Sequence, residues 1–191
     1  MTSWHRIYLI RHGQAATGWG EDEDPGLSPM GYEQAAVVAQ VLASLGPLPV
    51  VTSPMKRTRE TAQAFERVWK TTARVEPRIS EIPSPSMAQG QRREWLQTIM
   101  ACKWTDPPTQ ATNPHDLPVW RRKTLEALLE LTGPTIIISH YIAINAIVGQ
   151  VIEDNRVVGF APDNCSVTIV ESNRKTIRLV EKGKETQTEV G

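Results

Sequence analysis

Apolar residues along this chain come in two alternating rhythms. Ile7-Tyr8-Leu9-Ile10 is a short unbroken apolar run, the pattern of a strand covered on both faces, and Thr135-Ile136-Ile137-Ile138 reads as another buried strand. Between them, Ala35, Val38, Ala39, Leu42 and Leu45 recur at helical spacing. That helix is predicted to start at Ser28-Pro29, with serine as cap and proline in the first turn, and to stop at Gly46-Pro47. Pro49 to Thr52 reads as a second strand, and Ser53-Pro54 as a repeated helix start, with the helix running through Phe65 towards Trp69. Arg74 to Ile79 reads as a third, short strand, and His140 to Ile152 as a largely buried helix. Ser166–Val170 and Thr176–Val180 flank Ser172-Asn173-Arg174, which predicts a closing hairpin.

Strands alternating with helices imply an α/β fold, three layers α/β/α around a central, mostly parallel sheet with one antiparallel strand. The stretch from Pro83 to Pro118 breaks the rhythm. It is rich in Pro, Ser, Thr and Gln, with one helix predicted from Gln91 to about Ala101. It reads as an excursion over the sheet, leaving residues 1–191 as one domain.

Composition narrows the function. The 191 residues carry 21 Lys and Arg against 21 Asp and Glu, so no global field favours nucleic acid or an acidic membrane, and any anion site must be local. Cys102 and Cys165 stand far apart without metal-ligand neighbours, which argues for a reducing compartment. The run before Arg11 is too short for a signal peptide's apolar region, and no run reaches membrane-spanning length. The expectation is a soluble cytoplasmic protein.

Polar groups of one kind collect at strand ends. Arg11 and His12 follow the first strand, and Arg57, with Arg59 nearby, sits one turn into the helix after the second. Glu81 follows the third strand, and Ser139-His140 the fourth. If those strands are parallel, all these groups reach one edge, where open α/β sheets bind ligands. Two histidines, two arginines and a carboxylate suit a phosphoryl group. A neutral imidazole is a nucleophile near pH 7, guanidinium grips phosphate through two parallel bonds, and a carboxylic acid can protonate a leaving oxygen.

The segment Leu9-Ile10-Arg11-His12-Gly13-Gln14 resembles the signature of the histidine phosphatase superfamily, which includes the cofactor-dependent phosphoglycerate mutases. Leu27-Ser28-Pro29-Met30-Gly31 with Gln34-Ala35 is similar to its first helix start. Ser53 to Ala62 resembles its second arginine motif, Ile138-Ser139-His140 its second histidine motif, and Asn164-Cys165-Ser166-Val167 its late strand. The ordered set, and not one triplet, carries the resemblance. It implies a phosphoglycerate mutase-like fold, with His12 attacking phosphorus, Arg11, Arg57 and His140 holding the phosphoryl oxygens, and Glu81 as proton donor. Glu60, Glu66 and Glu76 are rivals on helix or strand positions that aim elsewhere, and Glu94 is a more distant one.

Plainer readings compete for single residues. His12 and His140 could be core histidines, Arg57 and Arg59 solvated helix residues, and Glu81 a surface carboxylate in a turn. His5 and His115 look incidental, and no histidine pairs at metal spacing, so neither metal nor cofactor is expected. The tryptophans read as core residues, with Trp19 or Trp104 lining a pocket as the alternative.

Phosphoglycerate mutases carry an asparagine-containing stretch after the RHG triplet and longer basic insertions. Here Gln14-Ala15-Ala16-Thr17-Gly18-Trp19 lacks the asparagine, and Arg92, Arg93 and Lys103 are the excursion's only basic residues before Arg121. Hydrolysis of a phosphomonoester, on a small molecule or a phosphorylated protein, is therefore expected over mutase transfer or mere phosphate binding. A homodimer stays open.

Overall fold

The computed structural model describes residues 3–18, 22–85, 91–110 and 116–186. Among them, six strands form one sheet: β1 (His5–Arg11), β2 (Val50–Thr52), β3 (Arg74–Val75), β4 (Thr135–Ser139), β5 (Val167–Ser172) and β6 (Ile177–Glu181), in the spatial order 3-2-4-1-5-6. The first four run parallel. Strand β5 pairs antiparallel with β1, and β6 antiparallel with β5. The sheet is thus mostly parallel with a single reversed strand, as expected.

Alternation along β1 explains its unbroken apolar run. Tyr8 and Ile10 face one helical layer with Ala35, Val38 and Ala39 of α1 (Pro29–Val41) and Ala62, Ala64 and Phe65 of α2 (Lys56–Trp69). Ile7 and Leu9 face the other, with Ala127 and Leu128 of α5 (Leu117–Leu129) and Ile144, Ile147 and Val148 of α6 (Tyr141–Val151). Burial of side chains on both faces of the central strands is the main term holding the layers together, about 1.5–3 kcal/mol for each fully buried side chain.

The excursion carries α3 (Gln91–Met100) and α4 (Pro107–Gln110). It has its own apolar cluster, in which Ile82, Leu96, Ile99 and Trp104 pack with Leu117, Tyr141, Ile142 and Ala146. Trp104 is therefore a core residue of the excursion, whereas Trp19 lies outside the described residues.

Two expectations need correction. Helix α2 begins at Lys56, not at Ser53-Pro54. The Ser53 hydroxyl is instead engaged with Met55 N at 3.2 Å and with a histidine ring, while Asp24 from a distant loop accepts from Lys56 N at 2.8 Å. Strand β3 stops at Val75 instead of running to Ile79. There the Glu76 carboxylate accepts from Arg78 N (3.1 Å) and Arg78 Nε (2.8 Å), which closes a 3-10 turn over Pro77–Ile79. That turn redirects the chain inward, and Ser139 Oγ donates to Ile79 O at 2.7 Å to fix it under β4. Helix α5 has no counterpart in the sequence reading.

Glu76 is buried, and the Arg78 hydrogen bonds hold its carboxyl at about 2, below the usual carboxylate range. A depressed carboxyl stabilises the fold above its unfolded pKa, and that contribution disappears as pH falls towards the folded value. Glu76→Gln is expected to lose about 1.5–3 kcal/mol at pH 7, as for a hydrogen bond to a charged group. In urea titrations the difference from the parent should shrink as pH falls from about 4.5 towards 2, because only the parent has a charge to lose.

Candidate active site

Parallel strands β1 and β4 are neighbours, and Arg11 pairs with Ser139 at their carboxyl ends. His12 N donates to Ser139 O at 3.0 Å, so His12 and His140 leave adjacent strand ends side by side. From here the chain turns to α1 on one face and to α6 on the other. This is the switch point where open α/β sheets have their crevice. The two imidazoles stand edge to face, with ring centroids 5.3 Å apart.

Gly13 makes the turn after His12 possible. A Cβ there would meet the carbonyl oxygen of Gly31 at 2.4 Å, and one on Gly31 would meet Gln14 O at 2.2 Å. The two backbones are therefore in direct contact, and only glycine at each position permits it. Thr61 Oγ1 accepts from Gly13 N (3.1 Å), and Asn164 Nδ2 donates to His12 O (2.9 Å), completing the cradle.

Arg57 lies between the histidines. Its Nε donates to His12 Nε2 at 3.1 Å and its Nη2 to His140 Nδ1 at 3.2 Å. A guanidinium only donates, so both ring nitrogens must be accepting, which assigns both tautomers. His12 carries its proton on Nδ1 and gives it to Gly13 O (2.7 Å), leaving the Nε2 lone pair to accept from Arg57 Nε. His140 carries its proton on Nε2 and gives it to Ser53 Oγ (2.7 Å). Burial first, and the Arg57 and Arg11 charges next, push His12 well below the ordinary imidazole range. Burial followed by Arg57, His12 and Arg11 does the same to His140. Both rings are neutral at neutral pH.

Glu81 completes the group from the end of the redirected 76–81 segment. Its Oε1 accepts from Ile82 N (3.0 Å), Ile142 N (3.1 Å) and Ala143 N (3.2 Å), so it caps the first turn of α6, which no side chain of its own N-cap does. Those donors and Arg57 pull its pKa down, but burial outweighs them, and the carboxyl titrates above its ordinary value. Arg11 donates from Nη1 to Pro162 O at 2.9 Å. His12, Arg57 and Glu81 open on one cavity whose walls include Thr17, Asp22, Glu23, Arg92 and Leu96.

Arg11, His12, Arg57, Glu81 and His140 are thus brought together. The rivals are occupied elsewhere. Glu60 accepts from Leu27 N at 2.6 Å, Glu66 from Ala73 N at 2.8 Å, Glu76 binds Arg78, and Glu94 is exposed, as is Arg59. His5 pairs with Ser172 at the far end of β1, and His115 lies outside the described residues. Sequence reading missed Ser53 and Asp24. Ser53 orients His140, and Asp24 holds the start of α2 and stands 3.8 Å from Arg57 Nη1. Neither has a local signal, since each acts on a residue more than thirty positions away.

The fold and site define a class. Residues 7–184 match the pattern of the histidine phosphatase superfamily (branch 1), and the chain belongs to that family. A probable phosphoglycerate mutase of Serratia proteamaculans is 27% identical over 163 residues, spanning 77% of this chain and 74% of the relative. Among solved structures, a mycobacterial glucosyl-3-phosphoglycerate phosphatase superposes with a TM-score of 0.72 at 20% identity, over 97% of this chain and all of the other. A phosphoglycerate mutase from Bacillus anthracis gives 0.76 at 14% identity, over 94% and 93%. These structural likenesses establish the phosphoglycerate mutase-like fold. Phosphatases and mutases both occur among the named matches, which supports enzymatic activity.

Because the Arg57 charge is one cause of both low imidazole pKa values, Arg57→Met should raise them. The direction follows from removing a like charge. Titration of the two ring resonances by NMR checks it, with Arg57→Lys expected to move them less. Unmoved values would mean that burial alone sets them.

Proposed function

We propose that the protein is a metal-independent phosphomonoester hydrolase working through a phosphohistidine on His12. The observation that carries this reading is the His12 tautomer. Its Nδ1 proton is committed to Gly13 O, so its lone pair lies on Nε2, and His12 lines one cavity together with Arg57 and Glu81. Arg57 Nε donates to that lone pair. An incoming phosphoryl group draws the guanidinium onto its oxygens, where a bidentate contact is stronger than one to a neutral nitrogen.

In the first step Nε2 attacks phosphorus, the phosphorus–oxygen ester bond breaks, and the leaving oxygen takes the Glu81 proton. Arg11 and Arg57 balance charge spread over the equatorial oxygens of a loose transition state. His140 Nδ1, an acceptor in the neutral ring, can take the proton of a phosphate monoanion and share it back with a phosphoryl oxygen, which the phosphate's negative charge favours. As the His12 ring becomes cationic, its Nδ1 hydrogen bond to Gly13 O strengthens. In the second step the Glu81 carboxylate takes a proton from water, the oxygen attacks the phosphohistidine, and inorganic phosphate leaves with His12 restored. Proton transfer of this kind is typically worth about 10²–10⁴-fold. Oε1 is held by three amides and Oε2 by one longer bond from Ile142 N (3.4 Å), so Oε2 is the less committed oxygen and the one assigned the proton exchange.

Purified protein is expected to hydrolyse an aryl phosphate, with His12→Ala abolishing turnover and Glu81→Gln lowering it by about 10²–10⁴-fold. Turnover that survives His12→Ala would defeat the mechanism. Phosphate transfer between phosphoglycerates outpacing phosphate release would make the protein a mutase, and phosphate binding without turnover would make it a binding module.

The pH profile has a determined sign. His12 must be neutral to attack, and its pKa lies well below 6.5, so the acid limb falls below that pH. Glu81 must be protonated, and its pKa lies above 4.5, so activity declines on the alkaline side. In Glu81→Gln the alkaline limb should vanish from kcat/KM. A parent profile that is flat across the range would contradict both assignments.

A further inference from the structure

Arg11 is held in an unusual way for a phosphate ligand. Its guanidinium is buried, and the one hydrogen bond it donates among the described residues goes from Nη1 to Pro162 O. That carbonyl is itself rigid, because its neighbours are tied to the C-terminal segment by Thr186 N to Ala161 O (2.8 Å) and Asp163 N to Lys184 O (2.9 Å). Arg11 Nε is enclosed and meets no acceptor among the described residues. An enclosed donor without a partner is costly unless something arrives to satisfy it. The side-on edge of a guanidinium, Nε with Nη2, is the edge that takes two oxygens of a phosphoryl group.

One pinned corner does not fix a planar group, since it can still turn about that hydrogen bond. The second constraint comes from Tyr141, the first residue of α6. Its ring lies under the guanidinium carbon at 5.0 Å from the centroid. The ring is itself immobilised in the apolar cluster of Ile82, Leu96, Ile142 and Ala146.

We propose that Tyr141 is a positioning residue that presents Arg11 to the phosphoryl group. Its ring face clamps the guanidinium plane while Pro162 O fixes one corner, and the Nε–Nη2 edge, whose Nε meets no acceptor among the described residues, is the edge it presents. Tyr141 acts through Arg11 and does not touch the substrate. The inference rests on the reading of this site as a phosphoryl-binding centre, and it predicts phosphate affinity separately from catalysis.

The test uses the full chain, with inorganic phosphate in calorimetry and an aryl phosphate in kinetics. Tyr141→Phe keeps the ring face and should bind phosphate within about twofold of the parent. Tyr141→Leu removes the face and should weaken phosphate binding by about 2- to 30-fold, the range of a cation–π contact. KM should rise by the same factor with kcat little changed, because the contact is made in ground and transition states alike. Pentafluorophenylalanine at position 141 keeps the shape but reverses the ring quadrupole, so it should behave as Tyr141→Leu does. Thermal unfolding confirms that each variant is folded, and the fluorinated variant carries the test if Tyr141→Leu is not.

Phosphate affinity unchanged across the series would overturn the proposal, as would Tyr141→Phe losing as much as Tyr141→Leu. Ring-dependent phosphate binding without aryl phosphate turnover would support the positioning role while refuting hydrolysis. Normal hydrolysis with a flat series would refute the positioning role alone. A parent protein that binds no phosphate would remove both.

Discussion

The parallel pairing of β1 with β4 is the constraint on which the site depends. It places His12 and His140 one residue beyond paired positions, and the crossovers then leave by opposite faces. Imidazoles this close in a buried setting could not both be protonated without severe repulsion. Arg57 resolves the conflict by donating to both, which requires each ring to be neutral and to accept. The arrangement concentrates positive charge on guanidinium groups, which keep their protons, and leaves both imidazoles unprotonated. In the proposed mechanism, anion affinity and nucleophilicity would come from the same residue contacts.

Glu81 shows two opposing influences on one group. Three backbone amides at the start of α6 favour its carboxylate, and burial favours its neutral acid. Burial prevails, so the group keeps its cap on α6 through Oε1 while its carboxyl titrates above the ordinary value, as the proposed acid role needs. The same carboxyl thereby ties the position of the acid to that of His140, the residue immediately before α6. How Glu81 arrives there is a matter of the preceding segment, where Glu76 and Arg78 turn the chain inward.

Much of this was legible in the sequence because its signals are local. Unbroken apolar runs marked β1 and β4, and the residues that follow each run are the ones that meet. The Arg57 position was legible for the same reason, one turn into a helix after a strand. What escaped depends on distant partners. Ser53 looked like a helix cap because it precedes proline, yet its hydroxyl serves His140, 87 positions away. The strand after Arg74 was drawn too long because nothing before the fold forms shows Glu76 folding back on Arg78. Helix α5 escaped for another reason. Leu117, in the excursion's cluster, shares its buried face with Thr124 and with Ala127 and Leu128 of the core beneath the sheet. A threonine interrupts that stripe and Val119, Leu125 and Leu129 are apolar off it, so the sequence shows no clean helical period.

That shared helix bears on how substrate choice and chemistry are connected. The excursion supplies Arg92 and Leu96 to the cavity wall, and Leu96 packs in the cluster that contains Tyr141 and Ile142. Tyr141 backs Arg11, and Ile142 N is bound to Glu81. In the proposed mechanism, the wall that would meet a leaving group and the groups that would meet a phosphate are therefore parts of one packed body resting on α6. Close-packed interiors transmit small displacements instead of absorbing them. A change of side-chain volume in the excursion would shift the Tyr141 ring and the first turn of α6 together, and with them the Nε–Nη2 edge of Arg11 and the Oε1 contacts of Glu81. Under the proposed function, varying the excursion to admit a different leaving group would thus also retune the phosphate grip, and specificity would be coupled to catalysis through this packing.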